Sequence, residues 1–238
     1  MTDSARARTL RSDGSRPAGG TTMTRTTTSA LIATVVAAFL LASGLVAGTA
    51  TSAAAWTTYT PNGGPSVNFV GGPLRFTNIP AAQDVRCTKV DLGGTVINPG
   101  LSRPYPSPMV SLTSTSSTGC ADPLLGVCVL THSGTWGLAM AGDSVSGVWP
   151  AVLTNVKLKV SCGPCTYTLV GSVDGDFAPS TFTPVTGPSG LTVAGGADSP
   201  TPACAVLRDI QVGDEIEIHG SWTNLPPVGS TPVTLTNP

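Results

Sequence analysis

Six cysteines, Cys87, Cys120, Cys128, Cys162, Cys165 and Cys204, all lie downstream of a single uncharged apolar run, and this placement constrains the chain more than any other feature. The run covers residues 30–46, follows Arg25 and precedes Ala53-Ala54-Ala55. A charge, an apolar core and a small-residue cleavage site in that order make a secretory signal. Export delivers the cysteines to an oxidising compartment, where an even number reads as a disulfide framework. The run approaches the minimum length for a bilayer crossing. It is Ala-rich, however, and no basic stop-transfer cluster follows it, so residues 23–55 are read as a cleaved signal peptide that leaves no stable membrane span. No cysteine follows Leu41-Ala42-Ser43-Gly44, which argues against a lipoprotein anchor.

Met23 opens a signal of ordinary length, and residues 1–22 are read as a spurious N-terminal extension. They carry Arg6, Arg8, Arg11 and Arg16 but no Arg-Arg pair, so a twin-arginine signal is not supported. A basic arm for nucleic acid is disfavoured by the export signal behind it. The mature chain then runs 56–238 as a single domain. Its basic residues are Arg75, Arg86, Lys89, Arg103, Lys157, Lys159 and Arg208, outnumbered by its acidic ones. That balance argues against nucleic acid or an anionic membrane surface as partner.

The mature region carries no sustained helical period, because Gly and Pro interrupt it. Alternation is clear instead in 157–162, 166–170 and 215–222, each a half-buried strand by pattern. Trp222 is read as continuing the Ile216 and Ile218 core face. Further strands are expected near 66–70, 73–77, 84–91, 127–132, 144–149, 190–194 and 232–236. Turns are expected at 61–64, 71–73, 187–190 and 225–227. Residues 103–120, with alternating prolines and a Ser/Thr run, read as a long surface connection, partly stranded around Met109–Leu112. The expected fold class is all-β, an antiparallel sandwich or barrel stapled by disulfides. The Lys157/Lys159 and Glu215/Glu217 faces, opposite in charge at equal spacing, suggest neighbouring strands.

No residue pattern assembles a catalytic constellation. His132 and His219 lack metal-ligand spacing, and no G-x-S-x-G elbow is present. Asp174-Gly175-Asp176 offers oxygens to Ca²⁺ but reads as a hairpin turn. Glu215 and Glu217 read as a solvated strand face rather than a glycosidase pair. Cys162-Gly163-Pro164-Cys165 has the residues of a thioredoxin-type motif, which needs a helix N-terminus to lower a thiol pKa. Strand patterns flank it instead, so it reads as a tight turn with each cysteine bonded elsewhere; the rival is a Cys162–Cys165 bridge. Neither a metal nor a cofactor is expected. Trp136 and Trp149 are candidates for ligand stacking at strand ends, although core is the default for both of them, and for Trp56 and Trp222.

The opening Trp56-Thr57-Thr58-Tyr59-Thr60-Pro61-Asn62-Gly63-Gly64, the Ser/Thr stretch ending in Cys120, Gly163-Pro164-Cys165 leading into a strand, and Cys204 ahead of Gly213-Asp214 resemble a group of small exported actinobacterial Ser/Thr/Gly-rich β-proteins of unknown function. The resemblance implies no activity. It implies four shared cysteines, Cys87, Cys120, Cys165 and Cys204, with Cys128 and Cys162 as additions that pair together. The implied connectivity is Cys87–Cys120, Cys128–Cys162 and Cys165–Cys204. The functional expectation is a non-catalytic secreted or cell-envelope protein of the structural or binding class. The alternatives are an envelope pore or adhesin subunit, and a small-ligand or glycan-binding module.

Overall fold

The computed structural model describes residues 56–237. The apolar run at 30–46, the Ala53-Ala54-Ala55 site and the choice between Met1 and Met23 lie outside the described residues. The chain runs through β1 (Thr58–Gly64), β2 (Ser66–Gly71), β3 (Leu74–Asn78), β4 (Gln83–Cys87), β5 (Lys89–Val96), β6 (Arg103–Pro104), β7 (Pro108–Thr118), β8 (Ala121–Asp122) and β9 (Gly126–His132). It continues through β10 (Trp136–Met140), β11 (Trp149–Cys162), β12 (Cys165–Ala178), β13 (Thr181–Pro184), β14 (Leu191–Val193), the helix α1 (Pro202–Arg208), β15 (Glu215–His219), β16 (Trp222–Asn224) and β17 (Thr231–Thr236). All strand pairings are antiparallel.

The longest alternating stretches build the centre. β11 and β12 pair along their whole length as one hairpin, and buried and solvent-facing residues alternate along both. The outer edge of β11 pairs with β10 near Trp149 and with β9 near Cys162. The outer edge of β12 pairs with β13 near Ala178 and with β14 near Gly171. The ladder closes on itself as a ring, and the hairpin divides that ring into two circuits. One runs β11, β12, β13, β16, β2, β5, β7 and β10; the other runs β11, β12, β14, β15, β3, β4, β8 and β9. The hairpin changes partners where its register shifts between Leu153 and Val156. Asn155 there has φ 57° and Gly171 on the partner strand φ 132°, a bulge that bends and twists both strands. A separate three-stranded sheet has the order β17-β1-β6.

The buried side chains form one continuous cluster shared by both circuits. All six cysteines are bonded, as Cys87–Cys120, Cys128–Cys162 and Cys165–Cys204, with S–S separations of 2.03, 2.02 and 2.12 Å. This is the connectivity that the resemblance implied. Gly163-Pro164 makes the tight turn of the β11–β12 hairpin, with Cys162 and Cys165 directly opposite one another yet each bonded elsewhere. The fold class is therefore all-β and antiparallel, stapled by three disulfides.

Several local expectations change. The Ser/Thr run is not a surface connection: β7 is an eleven-residue strand paired with β5 from Lys89↔Thr118 to Val96↔Val110. Threonine suits a pleated surface, and Gly93 opposite Ser114 leaves room for its hydroxyl, which would lie 2.5 Å from an added Cβ. Asp174-Gly175-Asp176 is not a turn but part of β12, with Gly175 on the inward face, where the Phe182 ring occupies the space a Cβ would take. Pro61–Gly64 is likewise strand, ending in a bulge where Gly63 (φ 97°) lets the carbonyl of Pro232 approach to 2.3 Å from a would-be Cβ.

Residues 144–148 form a turn ahead of β11. The 84–91 stretch splits at Thr88 into β4 and β5, and Gly220 (φ 115°) separates Trp222 from β15. The Lys157/Lys159 and Glu215/Glu217 faces are not neighbours. β15 lies between β14 and β3, Lys157 reaches Asp198 at 2.7 Å, and Glu217 lies 3.2 Å from His219. Pro202 opens the one α-helix described, a short segment that Asp209 closes in the left-handed region.

Candidate functional site

A row of aromatic side chains crosses the first circuit. Trp149 stands opposite Phe177, Phe177 opposite Phe182, Phe182 opposite Trp222, and Trp222 opposite Gly71. All four rings point inward and are buried. Directly opposed residues share a face of the sheet, so the row is a line of cross-strand contacts. Trp222 Nε1 donates to the Val90 carbonyl at 2.9 Å, which satisfies the indole where it crosses Gly71.

At the Trp149–Phe177 end of this row the surface opens into a groove of about 580 Å³. One wall is the turn before β11. Val145 and Val148 exchange backbone hydrogen bonds across Ser146 and Gly147, whose φ values of 54° and 81° suit a two-residue hairpin turn. The turn between β12 and β13, residues 177–180, forms the floor with Trp149, and residues 233–237 form the other wall. The lining comprises hydroxyls, the Asn237 amide, backbone and apolar groups, with no titratable side chain among the described residues.

The β17 wall is an outer strand of the three-stranded sheet. Polar backbone atoms of successive strand residues point to alternate edges. Pro61 has no N–H, and its carbonyl accepts from Gly100 N at 2.7 Å, on the side of β1 away from β17. Thr60 and Asn62 therefore face β17, opposite Thr236 and Thr234. The same alternation turns the Leu235 amide and carbonyl to the far edge, where no described strand pairs with β17, whereas Val233 lies at the register shift opposite Gly63 and is fully buried.

Beside the groove, Asp143 ties three segments together. Its carboxylate accepts from the Trp56 amide at 2.6 Å and from the Tyr105 hydroxyl at 3.0 Å. Burial, and then donation to this carboxylate, push the Tyr105 hydroxyl pKa up. Trp56 is half exposed, so it is not core; it precedes β1 and is held by its backbone.

Trp149 and Trp136 are both buried, at 8 % and 4 % exposure. Trp149 borders the groove, whereas Trp136 stacks on His132 with ring centroids 4.5 Å apart and donates to the Ser133 carbonyl. Neither offers an open ring face. His132 Nε2 lies 2.7 Å from the Gly134 carbonyl. A carbonyl only accepts, so Nε2 donates to it, and Nδ1 lies 3.0 Å from the Thr115 hydroxyl. Asp174 and Asp176 face solvent on β12, and no cluster of three potential metal ligands occurs among the described residues.

The pole near the disulfides holds a buried ion pair that the sequence did not suggest. Arg208 of α1 lies 2.9 Å from Asp122 of β8, and both side chains are nearly inaccessible. The second Asp122 oxygen accepts from the Leu124 and Leu125 amides, each at 2.8 Å. Burial, with the Asp122 charge adding to it, drives the Tyr167 hydroxyl pKa upward, so that phenol stays protonated. No family model, curated protein or solved structure matches the chain.

Proposed function

We propose that the protein is a non-catalytic secreted or cell-envelope protein of the structural and binding class, holding a partner without altering it chemically. The observation that carries this reading is the groove at the Trp149–Phe177 end. It is large enough to seat a ligand, yet its described lining offers neither a general acid or base nor an activated nucleophile.

The three disulfides fit an oxidising compartment. Solvent-facing strand positions carry Lys159, Asp174, Asp176 and Glu215, which disfavours a lipid-facing belt. No helix among the described residues is long and apolar enough to cross a membrane. The Trp56–Asp143 contact also accords with processing after Ala55. A chain beginning at Trp56 would place an ammonium where the amide now donates, turning the hydrogen bond into an ion pair.

The test is intact-mass and non-reducing peptide mass spectrometry on protein recovered from the medium and the envelope fraction. The expected result is an N-terminus at Trp56, no free thiol, and a Cys128–Cys162 peptide. Reduced protein retained in the cytoplasm, or a chain that keeps residues 30–46, would refute the exported reading.

A further inference from the structure

We propose that removal of the export signal locks the loop that walls the groove: the α-ammonium released at Trp56 takes Asp143 as its counter-ion and holds residues 141–148 in place. This rests on the reading of the protein as an exported binding scaffold and makes the groove of that scaffold depend on maturation.

Three observations carry it. First, the fold sets the position of the Trp56 nitrogen. Thr58 and Tyr59 pair with Pro104 and Arg103, and the Thr57 carbonyl accepts from the Tyr105 amide at 3.2 Å. The ladder therefore fixes the backbone up to the residue after Trp56, whose own nitrogen lies 2.6 Å from Asp143 Oδ2. Second, Asp143 is a carboxylate without a cation. Its other oxygen accepts from the Tyr105 hydroxyl, and none of the ion pairs among the described residues includes it. A neutral amide and a neutral phenol are its partners. Hydrolysis of the Ala55–Trp56 bond supplies the missing charge. Water is the co-reactant: Ala55 leaves as a carboxylate, and the Trp56 nitrogen gains protons to become an ammonium. A hydrogen bond between ionised groups is roughly twice as strong as its neutral counterpart.

Third, what Asp143 holds is the groove wall. It lies in the loop between β10 and β11, whose Ser144, Ser146, Gly147 and Val148 line the groove. Val145 at its tip is 75 % exposed, and the loop's backbone bonds stay within the hairpin, from Ala141 to Pro150 and between Val145 and Val148. Its side-chain hydrogen bonds to other described segments both end on Asp143. A loop with few buried contacts opens on its own, so strengthening one of two ties changes how often it opens. The other tie is already anchored. The Tyr105 ring stacks on Tyr59 with centroids 5.2 Å apart, and the Tyr59 hydroxyl accepts from the Met140 amide at the end of β10.

The experiment compares forms of the protein recovered from the medium of cells expressing the full chain, with each N-terminus read by intact mass. One form carries a glycine inserted between Ala55 and Trp56. Cleavage after Ala55 then keeps the Trp56 amide in place and moves the ammonium one residue away, about 3.8 Å of chain. Asp143→Asn, alone and with the inserted glycine, completes a double-mutant cycle. The readout is deuterium exchange of the Val145 and Val148 amides, which bond across the loop, at about pH 6.5, where an α-amine is protonated. The inserted glycine is expected to speed their exchange about 5-fold, with amides at the centre of the β11–β12 hairpin unchanged. In the Asp143→Asn background the insertion should add nothing, because the ammonium has no counter-ion to lose.

Equal exchange in the parent and the inserted form, with Trp56 confirmed as the parent's first residue, overturns the lock and leaves the exported binding reading standing. An equal increase in both backgrounds also overturns it, since the effect then belongs to the added residue and not to the charge. So does an exported protein that begins at a residue other than Trp56. A chain that keeps residues 30–46 overturns the lock and the exported reading together.

Discussion

The Arg208–Asp122 pair allows a sharp test of how this β-rich chain holds its only described α-helix. The two side chains are 8 % and 3 % exposed, so neither charge is solvated once its partner is lost. Arg208→Met leaves the Asp122 carboxylate buried with only the two amides of the following turn, and a cost of about 3 kcal/mol is expected. Asp122→Asn keeps an oxygen for those amides but strands a guanidinium whose Nε already lacks a partner. About 3–5 kcal/mol is expected for that change.

The double variant Asp122→Asn/Arg208→Met buries no charge and preserves the turn. It should recover to within ~1–2 kcal/mol of the parent, giving a coupling energy of at least about 2 kcal/mol. Non-reducing urea denaturation of the four proteins reads this directly. For a chain of this size the single variants should also melt roughly 6–20 °C lower. Two single effects below about 1 kcal/mol that simply add would show that water reaches the pair, and the burial argument would fail.

Further outcomes follow from packing and charge. Replacing Cys128 and Cys162 together by alanine opens a bridge spanning 34 residues and should cost about 3–4 kcal/mol; a shift below 1 kcal/mol in non-reducing denaturation would contradict this. Gly175→Ala places a Cβ 2.5 Å from the Thr183 carbonyl oxygen and 2.6 Å from the Phe182 ring. A loss of about 1–3 kcal/mol is expected, with only partial relief from Phe182→Leu because the backbone clash persists. Burial pushes the Asp84 carboxyl up, but hydrogen bonds from Arg86 and Thr77 and the charges of Arg75 and Arg86 outweigh it and hold the group below the usual carboxylate range. Its folded pKa is therefore below its unfolded one, so its stabilisation is present above about pH 4 and fades as pH falls through the lowered value. The difference in urea midpoint between the parent and Asp84→Asn should be positive at pH 6 and vanish in stronger acid; a difference that grows on acidification would refute the assignment.

Fold class was legible because burial leaves a period-two record. Leu158, Val160 and Cys162 face inward while Lys157 and Lys159 do not, and no helical pattern competes. Strands whose outward face is hydroxyl-rich were not legible as such. β7 is stranded because β5 pairs with its Ser/Thr run from Gly93↔Ser114 to Lys89↔Thr118, a fact about a partner that local composition does not carry. The Lys/Glu pairing failed for a related reason: equal spacing of opposite charges says nothing of register, and Lys157 and Glu217 lie beside nearer side chains, Asp198 and His219. The groove was half legible. Trp149 was singled out, but residues 233–237 reach its side of the groove only through a ladder with β1 that the fold aligns. Asp143, which joins Trp56 to Tyr105, stands in a turn with no motif around it and left no signal.

The hairpin shared by the two circuits also sets an order of assembly. β11 and β12 are joined by two residues, Gly163 and Pro164, and can meet as soon as both exist. β2 and β3 cannot complete their pairing so early. Phe69 waits for Asn224 and Phe76 for Ile218, roughly 150 residues further along, and loop closure over such a distance is slow. Both circuits therefore stay open until the last fifth of the chain arrives. A chain delivered from its N-terminus would hold its first strands incomplete throughout synthesis and close both rings nearly at once, around a hairpin already in place.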